Sequence, residues 1–132
     1  FTGSVFGDEL LNYYINSSAF VLPSTKEAWG LVINEAMSSG LPVIAHKEVG
    51  SVHDLIFNKN TGFVIESWDE LELRMNELYN NSELCEKFSK NAVRLMMGIG
   101  FADTTKNRRI HHQTGKMMGR RVKEPISVTY HR

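Results

Sequence analysis

Glu27 and Glu35 stand eight positions apart, with the run Gly30-Leu31-Val32 between them. An ionised carboxylate only accepts hydrogen bonds, and a pair of sugar or ribose hydroxyls can satisfy it in bidentate fashion. Between the two acids, the backbone N–H groups of Gly30, Leu31 and Val32 would project unpaired from the first turn of a helix, where the helix dipole adds about half a positive charge. A phosphate is the natural guest of such a tip, and Gly30 carries no Cβ to block its approach. Glu27 would then face one end of a ligand and Glu35 the other. The spacing alone is common in helices. The context sharpens it: one glutamate precedes a glycine-opened helix, another lies within it, and the strand-like stretch Gly40-Leu41-Pro42-Val43-Ile44-Ala45 follows.

The elements that must position these residues are legible as four short apolar runs: Ser4–Phe6, Ala19–Leu22, Pro42–Ala45 and Gly62–Ile65. Each lacks polar alternation and is bounded by Gly, Pro or Asn, the pattern of parallel strands covered on both faces. The connections between them are 12, 19 and 16 residues long, long enough for the crossover that parallel strands require. An α/β sheet is therefore expected. Leu10, Leu11, Tyr14 and Ile15 recur at helical spacing in the first gap, and the second holds a helix from Gly30 to Ser39 that stops at Gly40. Ser67 and Glu70 form a capping-box pattern ahead of Leu71, Met75 and Leu78, and Ser82 is the expected cap of a last helix with Leu84, Phe88, Ala92 and Leu95 on one stripe. In such a sheet the loop Pro23–Trp29 falls at a strand's carboxyl end, where ligands collect.

Composition excludes several classes. The chain has 132 residues, 42% hydrophobic and 23% charged, the make-up of one globular domain. No apolar run approaches the ~20 residues of a membrane span, and the N-terminus lacks the pattern of a secretory signal, so a cytoplasmic location is expected, with the cytoplasmic face of a membrane as a variant. A lone cysteine, Cys85, can form no internal disulfide and is read as a small core residue. The formal charge is zero, yet residues 1–97 carry 13 acidic against 7 basic side chains, and residues 98–132 carry 8 basic against 2 acidic. That change separates a folded unit, 1–97, from a basic, atypical or disordered tail, 98–132. Lys106, Arg108, Arg109, Lys116, Arg120, Arg121 and Lys123 could meet phosphates, but no interleaved aromatics or apolar helical face accompany them, which disfavours specific nucleic-acid binding.

The remaining polar candidates read more plainly. His46 and His53 have no partner at ligand spacing, so His46 is read as a hydrogen-bonding loop residue and no metal site is expected. Trp29 could stack on a sugar or base, but packing on its own scaffold is the stronger reading. Gly50-Ser51 could offer backbone amides to a ligand or form a plain turn.

Residues 1–97 resemble the C-terminal, donor-binding part of a GT-B fold glycosyltransferase of the group-1, retaining kind. The resemblance is carried by Phe20-Val21-Leu22-Pro23-Ser24, Glu27, Gly30-Leu31-Val32, Glu35-Ala36-Met37, Gly40-Leu41-Pro42-Val43-Ile44-Ala45, Gly50, Asp54, Ile56 and Thr61-Gly62-Phe63-Val64. It implies a partial Rossmann-like parallel sheet with flanking helices, in which Ser4–Phe6 and Ala19–Leu22 are the third and fourth strands of the order 3-2-1-4-5-6. It further implies transfer of a sugar from a nucleotide-sugar donor to a carbohydrate or lipid-linked acceptor hydroxyl with retention, and no cofactor or required metal. Glu27 would lie by the transferred sugar as the catalytic residue, Glu35 would hold the nucleotide ribose, and the Gly30–Val32 backbone would meet the diphosphate. A complete enzyme of this kind has an acceptor domain and a front half of the donor domain that this sequence does not contain, which implies a partner domain or self-association through an incomplete sheet. The alternative function is a non-catalytic nucleotide- or phosphate-binding module that needs a partner chain.

Overall fold

The computed structural model describes residues 6–99. The expected strand at Ser4–Phe6 lies outside them except for Phe6, as does the basic segment beyond Ile99. Within them the order is α1 (Gly7–Asn16), β1 (Phe20–Leu22), α2 (Leu31–Ser38), β2 (Val43–His46), α3 (Val52–Leu55), β3 (Gly62–Ile65), α4 (Trp68–Asn80) and α5 (Ser82–Gly98). The three strands form one parallel sheet in the order β1-β2-β3. Phe20 pairs with Val43 and Leu22 with Ala45, while Val43 pairs with Gly62 and His46 with Ile65.

The unbroken apolar reading of the strands has its cause in two cores, one on each sheet face. Phe20, Leu22, Val43 and Ala45 point to the face covered by α2 (Ile33, Ala36, Met37), α3 (Val52, Leu55) and Tyr14 of α1. Val21, Ile44 and Ile65 point to the opposite face, covered by Leu71 and Leu78 of α4. Helix α5 serves both, with Phe88 in the second core and Ala92 and Met96 in the first. Each fully buried Val, Leu, Ile, Phe or Met among them contributes about 1.5–3 kcal/mol relative to exposure. Cys85 is buried, as its type suggested.

Several boundaries differ from the sequence reading: β1 starts at Phe20 and not Ala19, β2 runs Val43–His46 and not Pro42–Ala45, and the helix ends differ for local reasons. Helix α2 spans Leu31–Ser38 rather than Gly30 to Ser39, because Gly30 adopts a left-handed conformation (φ 77°) and serves as the N-cap. At its other end Gly40 is also left-handed, and the amides of Gly40 and Leu41 donate to the carbonyls of Met37 and Ala36, a Schellman closure. Helix α5 is capped by Asn81 and not Ser82: Asn81 Oδ1 accepts from the Leu84 amide at 3.0 Å, and Ser82 is already helical. The box at α4 reaches one residue further back than expected. Ser67 Oγ accepts from the Glu70 amide, but the Glu70 carboxylate accepts from the Glu66 amide at 2.9 Å. The last gap's helix, α3, is a single four-residue turn.

Candidate functional site

A cavity of about 610 Å³ opens at the carboxyl ends of the three strands. Leu22 lines it from the end of β1, Pro23 and Glu27 from the loop beyond, His46 from β2, and Ile65 and Trp68 from β3 and the start of α4. Its volume is that of a small-molecule site, and its position follows from parallel topology, which gathers all the strand-to-helix loops at one edge.

The loop carrying Glu27 is held by the turn after β2. The amide of Gly50 donates to the Glu27 carbonyl at 3.3 Å, and the amide of Ser51 donates to the Trp29 carbonyl at 3.1 Å. A Cβ on Gly50 would overlap the Ala28 carbonyl oxygen, so only glycine permits this approach. The two readings of Gly50-Ser51 are thereby resolved: both amides are committed to the loop. Glu27 itself is half-buried.

Gly30 is buried, and the side a Cβ would occupy faces Val49, Leu22 and Ile33. Its φ of 77° suits a residue without a Cβ, and an added Cβ would meet Val49 Cγ1 at 2.9 Å. The Gly30 carbonyl accepts from the Ile33 amide at 2.9 Å, which tightens the first turn of α2. Leu31 is 63% exposed, whereas Gly30 is buried and Val32 is half-buried against the first core. None of Gly30, Leu31, Val32 or Glu35 lines the strand-end cavity. Glu35 lies in the second turn of α2, half-buried, and its Oε2 accepts from the Tyr14 hydroxyl at 3.3 Å. The structure thus places Glu27 in the cavity and engages Glu35 with α1, outside the cavity lining.

His46 makes the hydrogen bond its context suggested, but from the last position of β2 and not from a loop: Nδ1 accepts from the Glu48 amide at 3.2 Å. A neutral ring with Nδ1 accepting carries its proton on Nε2. Trp29, expected to pack on its scaffold, is 45% exposed. Two contributors escaped the sequence reading. Tyr14 was legible only as part of an apolar helix face, and no periodicity links it to a glutamate 21 positions on. Trp68 lines the cavity and remains 64% exposed; its place three residues past the strand end at Ile65 was the available signal.

Comparison with known proteins decides the family. The model of the group 1 glycosyl transferases matches residues 1–94. The chain belongs to that family. Among relatives of this group 1 glycosyltransferase chain, the sulfoquinovosyl transferase SQD2 of Arabidopsis thaliana is 39% identical over 97 residues, which cover 70% of this chain and 19% of the relative. A GDP-mannose-dependent alpha-mannosyltransferase of Mycobacterium tuberculosis is 40% identical over 65 residues, 49% of this chain and 17% of the relative. An alpha-D-kanosaminyltransferase of Streptomyces kanamyceticus is 36% identical over 77 residues, 57% of this chain and 20% of the relative. The chain therefore spans about a fifth of the length of these relatives. The three-stranded parallel sheet flanked by helices agrees with a Rossmann-like glycosyltransferase domain. No helix among the described residues is long and apolar enough to cross a membrane.

Proposed function

We propose that residues 1–97 form the donor-binding part of a glycosyltransferase that moves a sugar from a nucleotide-sugar to an acceptor hydroxyl with its anomeric configuration retained. What supports this reading is the glycine-capped first turn of α2, which follows a loop whose Glu27 lines the strand-end cavity and precedes Glu35 in the next turn, engaged with a neighbouring helix. In transfer, negative charge grows on the leaving diphosphate and positive charge on the sugar ring. The amides of Gly30, Leu31 and Val32 stabilise the first, and the ionised Glu27 stabilises the second. Glu35 accepts hydrogen bonds from the ribose hydroxyls. No step of this scheme calls on a metal. The acceptor, carbohydrate or lipid-linked, and the groups that clamp the diphosphate from the far side belong to a partner domain, in keeping with the fifth of its relatives' length that the chain spans.

The test is titration calorimetry of the 132-residue chain with UDP-glucose, GDP-mannose and the free nucleotides, followed by transfer assays with an acceptor-domain partner. GDP-mannose belongs in the panel because one relative's name specifies it. Binding lost in Glu35→Ala, together with transfer lost in Glu27→Gln at preserved donor affinity, is the expected result. Absence of binding even with the partner would overturn the reading. Binding without any transfer would favour a non-catalytic nucleotide-binding module.

A further inference from the structure

Tyr14 sits on the apolar face of α1 and is 5% exposed. A buried phenol must find an acceptor for its hydroxyl, and this one finds it on another element: Oε2 of Glu35 in α2, at 3.3 Å, the long end of the range for such a bond. The ring is held in place by an edge-on contact with Phe20 of β1, centroids 6.0 Å apart and planes at 68°. The hydroxyl is therefore aimed by the fold and not by its own torsional freedom. One oxygen of Glu35 is engaged from the protein side. The other oxygen, and the lone pairs left on Oε2, remain to accept hydrogen bonds.

We propose that Tyr14 is a positioning residue that holds the Glu35 carboxylate in the orientation needed to accept both hydroxyls of a ribose, so that the site selects ribonucleotides over nucleotides lacking that diol. The inference rests on the reading of Glu35 as the ribose-binding residue. A carboxylate free to rotate spreads over orientations of which only some meet a diol with both oxygens, and an anchored one avoids that ordering cost on binding. Burial, with the adjacent Glu35 charge and hydrogen bond acting in the same direction, holds the Tyr14 phenol well above its ordinary range, so the donor stays protonated at any working pH.

The experiment compares UDP with 2′,3′-dideoxy-UDP on the intact 132-residue chain and on Tyr14→Phe, Glu35→Gln and the double variant. The ratio of the two affinities is read, because both ligands report on the same folded fraction. Wild type is expected to prefer UDP, and Tyr14→Phe, which keeps the ring against Phe20, is expected to cut that preference about 3- to 10-fold, the scale of one ordinary net hydrogen bond. In the Glu35→Gln background Tyr14→Phe should change the ratio no further. An unchanged ratio in Tyr14→Phe overturns the proposal, as does an equal loss of both affinities. Glu35→Asp keeps the charge but draws it away from the phenol. It is expected to lose the preference as fully as Glu35→Gln, and a preference retained there also overturns positioning. A ratio untouched by Glu35→Gln, or no UDP binding by wild type, overturns the ribose reading of Glu35 itself and the proposal with it.

Discussion

The amide of Gly50 donates to the carbonyl of Glu27, joining the turn after β2 to the loop after β1. Beside it Ser51 repeats the contact to Trp29, so the candidate catalytic loop is braced by backbone groups of the neighbouring turn, in addition to the Ser24 hydroxyl that accepts from the Lys26 amide within it. Because a Cβ at position 50 would overlap the Ala28 carbonyl oxygen, Gly50→Ala is expected to force the loop outward and to destabilise the chain by about 2–3 kcal/mol, the cost of overpacking. Urea denaturation measures the stability loss. Donor affinity should fall too, and a Gly50→Ala chain with wild-type stability and affinity would refute the bracing role.

Gly30 is constrained twice, by a left-handed φ and by contact with Val49 Cγ1. Gly30→Ala should therefore cost about 1–3 kcal/mol from backbone strain and crowding. Val49→Ala removes the crowding but not the strain. Combined with Gly30→Ala it should recover part of the added cost, and a double-mutant cycle in urea reads the coupling.

Cap positions give a sharper comparison. Asn81→Ala and Ser67→Ala should each destabilise by about 1 kcal/mol, because each removes the acceptor of a helix amide. Ser82→Ala should be near neutral, since alanine is a better helix former and the Leu84 amide keeps its partner. Thermal melts of the three variants decide between Asn81 and Ser82 as the cap.

Burial raises the Cys85 thiol above its ordinary 9.0, so the folded state favours the neutral form. The sign follows: this contribution to stability is fully present below about pH 9 and declines as pH rises past it, because the unfolded chain gives up the proton first. Tyr14, raised in the same direction, adds a further decline above its ordinary 10.0. Urea midpoints measured from pH 8 to 11 should fall, and fall less steeply in Cys85→Ala and in Tyr14→Phe. At pH 8, iodoacetamide should modify Cys85 far more slowly in the native chain than in urea.

Much of this protein was written locally. Apolar runs without polar alternation specified parallel strands buried on both faces, since only residues such as Val21 and Ile44 tolerate cover above and below the sheet. Gly40 ended α2 where a left-handed residue was needed, and Glu27, Gly30 and Glu35 could be picked out by type and order along the chain. Local pattern also came close at the last helix, yet Asn81 and Ser82 are both good caps, and only the direction of the backbone chose between them. What needed the tertiary structure was everything joining residues distant in sequence: the Gly50–Glu27 bond, the approach of Val49 to Gly30, the end-of-strand cavity that draws in Trp68, and the phenol of Tyr14 on Glu35. Periodicity reports which face of an element is apolar. Which residue of another element that face meets is set by strand register and helix packing, and neither leaves a mark in the spacing of a single chain.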